Sequence, residues 1–105
     1  MNIWRHLTVD AFKSLSADSQ GKDGLVQVVD IRDRQSYEAG HIPGAHLLND
    51  ETIEEFMSSA DKTRPLVVCC YHGHSSQNAA EFLAQQEFTD VYSLDGGYTA
   101  WAAQV

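Results

Sequence analysis

The stretch LVVCCYHGHSS, residues 66–76, joins a short apolar run to a glycine-containing loop. Its first four residues are wholly apolar and rich in valine, which is typical of a buried strand. Beyond the stretch, apolar residues recur at helical spacing from Ala79 to Leu83. The pattern therefore predicts a central strand, a loop and the N-terminus of a helix, with Cys70 where the strand ends.

Cys70 lies where two features of a helix N-terminus favour an anion: unpaired backbone N–H groups and the helix dipole. A thiol at this position ionises more readily than a free thiol, and the thiolate is the form that attacks. Cys69 precedes it in the strand, and neighbouring strand residues point to opposite faces. We therefore expect Cys70 to be a nucleophile in a cradle of backbone amides, and Cys69 to pack in the core.

Apolar runs and helical spacings alternate along the rest of the chain. Four strands are predicted, at residues 25–31, 45–48, 66–69 and 91–94. A further strand before Thr8 is predicted more weakly. Helices are predicted after each strand, and the composition of residues 19–24 predicts a turn. This alternation is typical of a parallel α/β sheet with helices on both faces, where ligands bind at the carboxyl ends of the strands. Both Cys70 and the Asp30-Ile31-Arg32 stretch fall at such ends.

The length and composition describe one ordinary globular domain over residues 1–105. Hydrophobic residues make up 43% and charged residues 21%, which allows a single core, to which we assign Phe82, Tyr98 and Trp101.

The formal net charge of -8 repels phosphates and acidic lipids, so neither nucleic acid nor a membrane is an expected partner. No apolar run approaches the ~20 residues of a membrane span. No signal-peptide stretch opens the chain, so a cytoplasmic location is expected.

A cysteine phosphatase is one alternative for this loop. Such enzymes need an arginine six positions after the cysteine, because its guanidinium grips the phosphate with two hydrogen bonds. Here the sixth residue after Cys70 is Ser76, and the sixth after Cys69 is Ser75. The sequence therefore disfavours phosphate-ester chemistry.

His72 and His74 flank Gly73 and raise two further alternatives, a metal site and a Cys–His hydrolase. Two histidines and one thiol at this spacing match zinc sites poorly, and no fourth ligand is evident. An imidazole two positions along a tight loop does not readily reach the sulfur of Cys70 as a base. We therefore expect these imidazoles to line the mouth of the pocket.

Asp30 and Arg32 flank Ile31, so their side chains share one face at the end of a strand. They could form a structural ion pair, since buried arginines usually keep a carboxylate partner. Arg32 could instead supply the cation that a cradle of amides around a thiol lacks. Both roles can hold together, and the residues alone leave the choice open.

Three blocks carry a resemblance to a known family: VDIR at residues 29–32 with YEAGHIPGA at residues 37–45, the loop at residues 70–76, and YSLDGGYTAW at residues 92–101. They occur in the family order and span most of the chain, which resembles a single rhodanese domain. The resemblance implies a three-layer α/β/α fold with a five-stranded parallel sheet. It also implies a thiosulfate sulfurtransferase that needs no metal or organic cofactor.

The resemblance further implies a double displacement at Cys70. The thiolate takes the outer sulfur of thiosulfate, or of a similar sulfane-sulfur donor, releases sulfite and becomes a persulfide. A second reactant, cyanide or a thiol such as reduced thioredoxin, then removes the sulfur. The loop amides would hold the persulfide, with Arg32 beside the pocket. The implied binding residues are Arg32, Tyr71, His72, Gly73, His74, Ser75 and Ser76.

One departure from the family pattern concerns charge. Many members carry arginine or lysine directly after the cysteine and at the fifth position beyond it, where this chain has Tyr71 and Ser75. A loop without its own cation should bind the thiosulfate dianion weakly, because hydroxyls donate hydrogen bonds but carry no charge. This leaves a second interpretation, a carrier that passes persulfide sulfur between proteins with little free thiosulfate turnover.

Overall fold

Strands and helices alternate in the computed structural model, which describes residues 3–18 and 26–104. In chain order the elements are β1 Trp4–Leu7, α1 Val9–Asp18, β2 Gln27–Asp30, α2 Arg34–Ala39, β3 His46–Leu47, α3 Ile53–Ser59, β4 Leu66–Cys69, α4 Ser75–Gln85, β5 Val91–Leu94 and α5 Gly97–Ala103. The weak strand before Thr8 is present as β1, and β2 and β3 are shorter than predicted. The predicted turn at residues 19–24 and Leu25 lie outside the described residues. Of the helices just named, none is long and apolar enough to cross a membrane.

The five strands form one sheet in the order β1-β5-β4-β2-β3, and every neighbouring pair is parallel. The central strand, β4, is buried along its whole length. Its register places Val68 beside Ser93 of β5, and Cys69 beside Asp30 of β2. Because the strands run in the same direction, the carboxyl ends of β2, β4 and β5 meet at one edge of the sheet. Cys70 follows β4 at this edge.

Apolar side chains pack on both faces of the sheet. On one face, Cys69 of β4 belongs to a cluster with Phe12 of α1, and the half-buried Trp101 of α5 packs against it. On the other face, Val68 of β4 belongs to a cluster with Leu83 of α4. Successive residues of β4 therefore contact opposite layers, as the period of a strand requires. The predicted α/β fold, a five-stranded parallel sheet between two helical layers, is confirmed.

The prediction that Phe82 belongs to the core is wrong. Its side chain is 46% exposed on the outer side of α4. The buried positions of this helix are Ser76, Ala80, Leu83 and Ala84, which form one stripe against the sheet. The small alanines let the helix approach the sheet closely, and Phe82 projects from the opposite side. Tyr98 packs against the core as predicted.

Candidate active site

The cysteine loop, residues 70–76, runs from the end of β4 into the first turn of α4. Cys70 itself is only 3% exposed, and two other residues of the loop, Gly73 and Ser76, are also buried. Four further predicted binding residues are exposed to solvent: Tyr71, His72, His74 and Ser75. The structure therefore gathers all seven loop residues at one place, with the thiol inside and several side chains around its mouth.

Two hydrogen bonds reach the Cys70 sulfur directly. The Gly73 amide donates to Sγ over 3.1 Å, and Sγ lies 3.3 Å from the Ser76 hydroxyl oxygen. Burial alone would raise the pKa of the Cys70 thiol, but hydrogen bonding from the Ser76 hydroxyl and from the amides of Ser76, Gly73 and His72 outweighs it. The net result is a pKa below the ordinary thiol value, which favours the nucleophilic thiolate.

Cys69 has the opposite environment. It is fully buried within one core cluster, so the prediction that it faces away from the loop and packs in the core is confirmed. Burial, followed by the nearby Asp30 carboxylate, raises the pKa of its thiol to about 12. A thiol that stays protonated is a poor nucleophile, so only one of the two adjacent cysteines is prepared for attack.

The N-terminus of α5 is hydrogen-bonded to the start of the cysteine loop. The Cys70 carbonyl accepts a hydrogen bond from the Tyr98 amide at 2.7 Å, and the Tyr71 carbonyl accepts one from the Thr99 amide at 3.1 Å. Gly97 makes this approach possible, because a Cβ there would lie only 2.5 Å from the Cys70 carbonyl oxygen. With both carbonyls directed towards α5, the following loop amides are left free to face the sulfur.

Arg32 lies at the carboxyl end of β2 with its side chain 4% exposed. Its guanidinium donates to both carboxylate oxygens of Asp30 at 2.8–3.1 Å and to the Gly40 carbonyl at 2.6 Å. It also lies 4.1 Å from the centroid of the Tyr98 ring and 5.7 Å from that of the Tyr71 ring. The structural ion pair is therefore present, while contact between Arg32 and a substrate stays a prediction.

Tyr71 directly follows Cys70, and its hydroxyl ties the loop to α2. The hydroxyl donates to the Asp33 carboxylate and lies 2.8 Å from the Ser36 hydroxyl. Asp33 is also the N-cap of α2, accepting from the Ser36 amide at 3.0 Å. Tyr71 thus anchors the exposed side of the loop without adding positive charge.

A metal site would need several ligands grouped together. Within residues 3–18 and 26–104, no three His, Cys, Asp or Glu side chains are close enough to hold a metal ion. His72 and His74 are exposed on the loop, and among the described residues neither imidazole forms a hydrogen bond with the Cys70 sulfur. Their role in lining the mouth of the pocket stays a prediction.

Ser93 is a residue of this site that sequence reasoning missed. It lies on β5, is fully buried, and its hydroxyl oxygen is 2.7 Å from that of Ser76, the residue beside the Cys70 sulfur. The signal was a single serine in the otherwise hydrophobic strand sequence VYSL. A buried hydroxyl in such a strand needs a hydrogen-bond partner. The sequence could not name that partner, because it is 17 residues away.

Known proteins resemble this chain along almost its whole length. A family model described as a rhodanese-like domain matches residues 10–104. The thiosulfate sulfurtransferase GlpE of Shewanella oneidensis is 50% identical over 101 residues, covering 96% of this chain and 95% of that protein. The protein of the same name from Pseudomonas paraeruginosa is 48% identical over 94 residues, covering 88% of this chain and 86% of that protein.

Solved structures share the fold. A rhodanese-like domain protein from Staphylococcus aureus superposes with a TM-score of 0.74 at 28% identity, covering 92% of this chain and 90% of that one. The rhodanese-like domain of an Anabaena sp. protein gives a TM-score of 0.76 at 26% identity, covering 94% of this chain and 74% of that one. Since the family model spans nearly the whole chain and relatives about half identical match it almost end to end, the chain belongs to the rhodanese family.

Proposed function

We propose that the protein is a sulfurtransferase that moves sulfane sulfur from thiosulfate, or a similar donor, to an acceptor through a persulfide on Cys70. First, the thiolate attacks the outer sulfur of thiosulfate. A new S–S bond forms, the bond to the sulfonate sulfur breaks, and sulfite leaves with the electron pair. Then cyanide or an acceptor thiolate attacks the terminal sulfur and Cys70 leaves as a thiolate. The products are thiocyanate or a persulfide on the acceptor.

The observation that carries this proposal is the set of donors around the Cys70 sulfur. A lowered pKa supplies the thiolate for the first step, and the same hydrogen bonds stabilise the thiolate that leaves in the second. Both steps pass through negative charge on sulfur at the same place, so one fixed arrangement of donors serves both. The names of the two GlpE relatives support thiosulfate as a donor.

A second candidate is a carrier that passes persulfide sulfur between proteins. It is favoured by the charge of the site, because Arg32 is paired with Asp30 and the cysteine loop contains no arginine or lysine. The net charge of -8 also repels a dianion and suits an acceptor with a basic surface. Reduced thioredoxin or another thiol protein of the cytoplasm would then be the acceptor. Slow turnover of thiosulfate with fast transfer to one protein would identify this function.

The test is the intact mass of the protein after exposure to thiosulfate. We expect a gain of one sulfur atom and a matching release of sulfite, and we expect Cys70→Ser to abolish both. Addition of cyanide should remove the extra mass from the wild-type protein and yield thiocyanate.

Cys69→Ser is the matched control, because it changes the adjacent thiol, which faces the core. We expect it to gain the sulfur and release sulfite nearly as the wild type does. Normal turnover by Cys70→Ser, or loss of turnover in a folded Cys69→Ser variant, would contradict the proposed chemistry.

A further inference from the structure

A chain of two buried hydroxyls leads from β5 to the reacting sulfur. The Ser93 and Ser76 oxygens are 2.7 Å apart, and the Ser76 oxygen is 3.3 Å from the Cys70 sulfur. Both serines are fully buried, and within the described parts of the chain Ser93 has no other side-chain hydrogen bond. Ser93 does not touch the sulfur, so any influence on it passes through Ser76.

The number of hydrogens fixes the direction of this chain. A serine hydroxyl has one hydrogen to donate and two lone pairs to accept with, whereas a thiolate can only accept. When Cys70 is ionised, its contact with Ser76 is a hydrogen bond only if the single hydrogen of Ser76 points to the sulfur. The Ser76 oxygen can then only accept, and the donor within reach is the Ser93 hydroxyl.

We infer that Ser93 is a positioning residue for the reaction: its hydroxyl donates to the Ser76 oxygen and keeps the Ser76 hydrogen directed at the Cys70 sulfur. A hydroxyl that accepts a hydrogen bond is also polarised into a better donor. The sheet makes this arrangement rigid, because Ser93 is paired in register with Val68, two residues before Cys70. The inference rests on the proposed function only in taking Cys70 as the reacting group.

Other groups around Cys70 stay constant when Ser93 is changed. The ionisable side chains on the cysteine loop, on the strand ends beside it and on α4 are Asp30, Arg32, Cys69, His72, His74, Glu81 and Asp95. The first turn of α4 carries no acidic residue, and residues 75–78 include no charged side chain of either sign. A change in the titration of Cys70 in a Ser93 variant therefore reports the hydroxyl chain rather than a lost charge.

The experiment measures the rate of Cys70 alkylation by iodoacetamide between pH 5 and 9, with the modified cysteine identified by peptide mass. For Ser93→Ala we expect the profile to shift to higher pH, with rates about threefold lower on its acid side and an unchanged plateau. For Ser76→Ala, which removes the direct donor, we expect a loss of about tenfold on the acid side. Iodoacetamide detects the thiolate without any sulfur transfer, so a failure of this inference is distinguished from a failure of the proposed function.

Two comparisons decide between positioning and mere packing. In a Ser76→Ala background, Ser93→Ala should have no further effect, and Ser93→Thr, which keeps the hydroxyl, should leave the wild-type profile. Ser58→Ala, an exposed serine of α3, is the control for a lost hydroxyl elsewhere. The inference is overturned if Ser93→Ala leaves the profile in place, if it lowers the plateau and the acid side equally, or if its effect persists without Ser76.

Discussion

The two adjacent cysteines have the same side chain and opposite environments. The alternation of side chains along and just beyond β4 places Cys69 in the core and Cys70 among the donors of the loop. Burial without donors raises the pKa of Cys69, whereas the hydroxyl and amide hydrogen bonds lower that of Cys70 despite its burial. One backbone step therefore separates a stable thiol from a reactive one.

The raised pKa of Cys69 predicts a loss of stability at alkaline pH. The unfolded chain releases this proton at about pH 8.5, whereas the folded protein holds it to about pH 12. Between these values the folded state binds more protons, so the free energy of unfolding falls as pH rises, by up to about 2 kcal/mol between pH 8.5 and 10. Urea denaturation of the wild type and Cys69→Ala under reducing conditions measures this, and the variant should lack that part of the decline.

Cys70→Ser is the control for the alkaline decline. Because the folded-state pKa of Cys70 is lowered, its contribution to stability is present above the unfolded pKa and is lost as pH falls through the folded pKa. This variant should therefore keep the decline that Cys69 causes. Equal slopes in the wild type and Cys69→Ala would show that Cys69 ionises as easily in the folded protein as in the unfolded chain.

The contact between α5 and the cysteine loop is the main relation between elements at the site. The first amides of α5 donate hydrogen bonds to the carbonyls of Cys70 and Tyr71. The helix can approach the loop this closely because Gly97 has no side chain. Gly73 contributes from the loop side, since a Cβ there would lie 2.7 Å from the Gly96 nitrogen. The helix thereby orients the peptide groups that surround the sulfur.

Gly97→Ala should disrupt this contact. The residue has a φ of +59°, and the added Cβ would lie 2.5 Å from the Cys70 carbonyl oxygen and 2.6 Å from the Tyr71 carbonyl group. We expect a loss of at least about 3 kcal/mol in the free energy of unfolding. We also expect persulfide formation at least about tenfold slower, because the loop must shift. Chemical denaturation and timed mass measurements after thiosulfate addition test both.

Gly44→Ala is the matched control. Gly44 also has a positive φ, +84°, but apart from its own chain neighbours no described atom lies within 4 Å of the Cβ that alanine would add. Only the backbone strain of about 1–2 kcal/mol is therefore expected, with an unchanged rate of persulfide formation. Equal stability losses in the two variants would mean that α5 can withdraw from the loop without cost.

The elements were largely predictable, but their arrangement was not. Apolar runs in the sequence locate β2, β4 and β5, and helical periodicity locates the helices. The place of Cys70 at the end of a strand follows directly. The order β1-β5-β4-β2-β3 depends on contacts far apart in the chain, so the neighbourhood of Ser93 and Ser76 was hidden. Phe82 was wrongly assigned to the core because it is apolar. Apolarity alone does not show which face of a helix packs on the sheet, and in α4 the packed face is the one that carries the small alanines.

The whole molecule carries a negative charge that opposes its proposed small substrate. Fifteen acidic and seven basic residues give the formal charge of -8, and the buried Arg32 is balanced by Asp30. Binding of a dianion at Cys70 must therefore rely on local amides and hydroxyls against an unfavourable long-range field. Added salt screens such a field within a Debye length of about 10 Å at 0.1 M.

The KM for thiosulfate should therefore fall as salt concentration rises. From 10 mM to 300 mM sodium chloride we expect a decrease of about two- to fivefold, because screening weakens the repulsion between protein and dianion. The rate of Cys70 alkylation by uncharged iodoacetamide, at a pH where the thiolate is fully formed, is the control and should change little. A KM that rises with salt would instead show that a local cation, with Arg32 the first candidate, governs substrate binding.

The groups nearest the Cys70 sulfur are the Gly73 amide and the buried Ser76 hydroxyl, whereas other side chains of the loop are exposed. Under the proposed function, the reaction and the choice of substrate therefore depend on different parts of the loop. The exposed side chains of His72, His74 and Ser75 can change without removing the Gly73 amide that faces the thiol. If Cys70 is the nucleophile as proposed, we expect mutation at these positions to change which sulfur donors and acceptors the domain accepts while the nucleophile is kept. The surface around Cys70 can therefore vary in sequence while the groups that contact its sulfur stay the same.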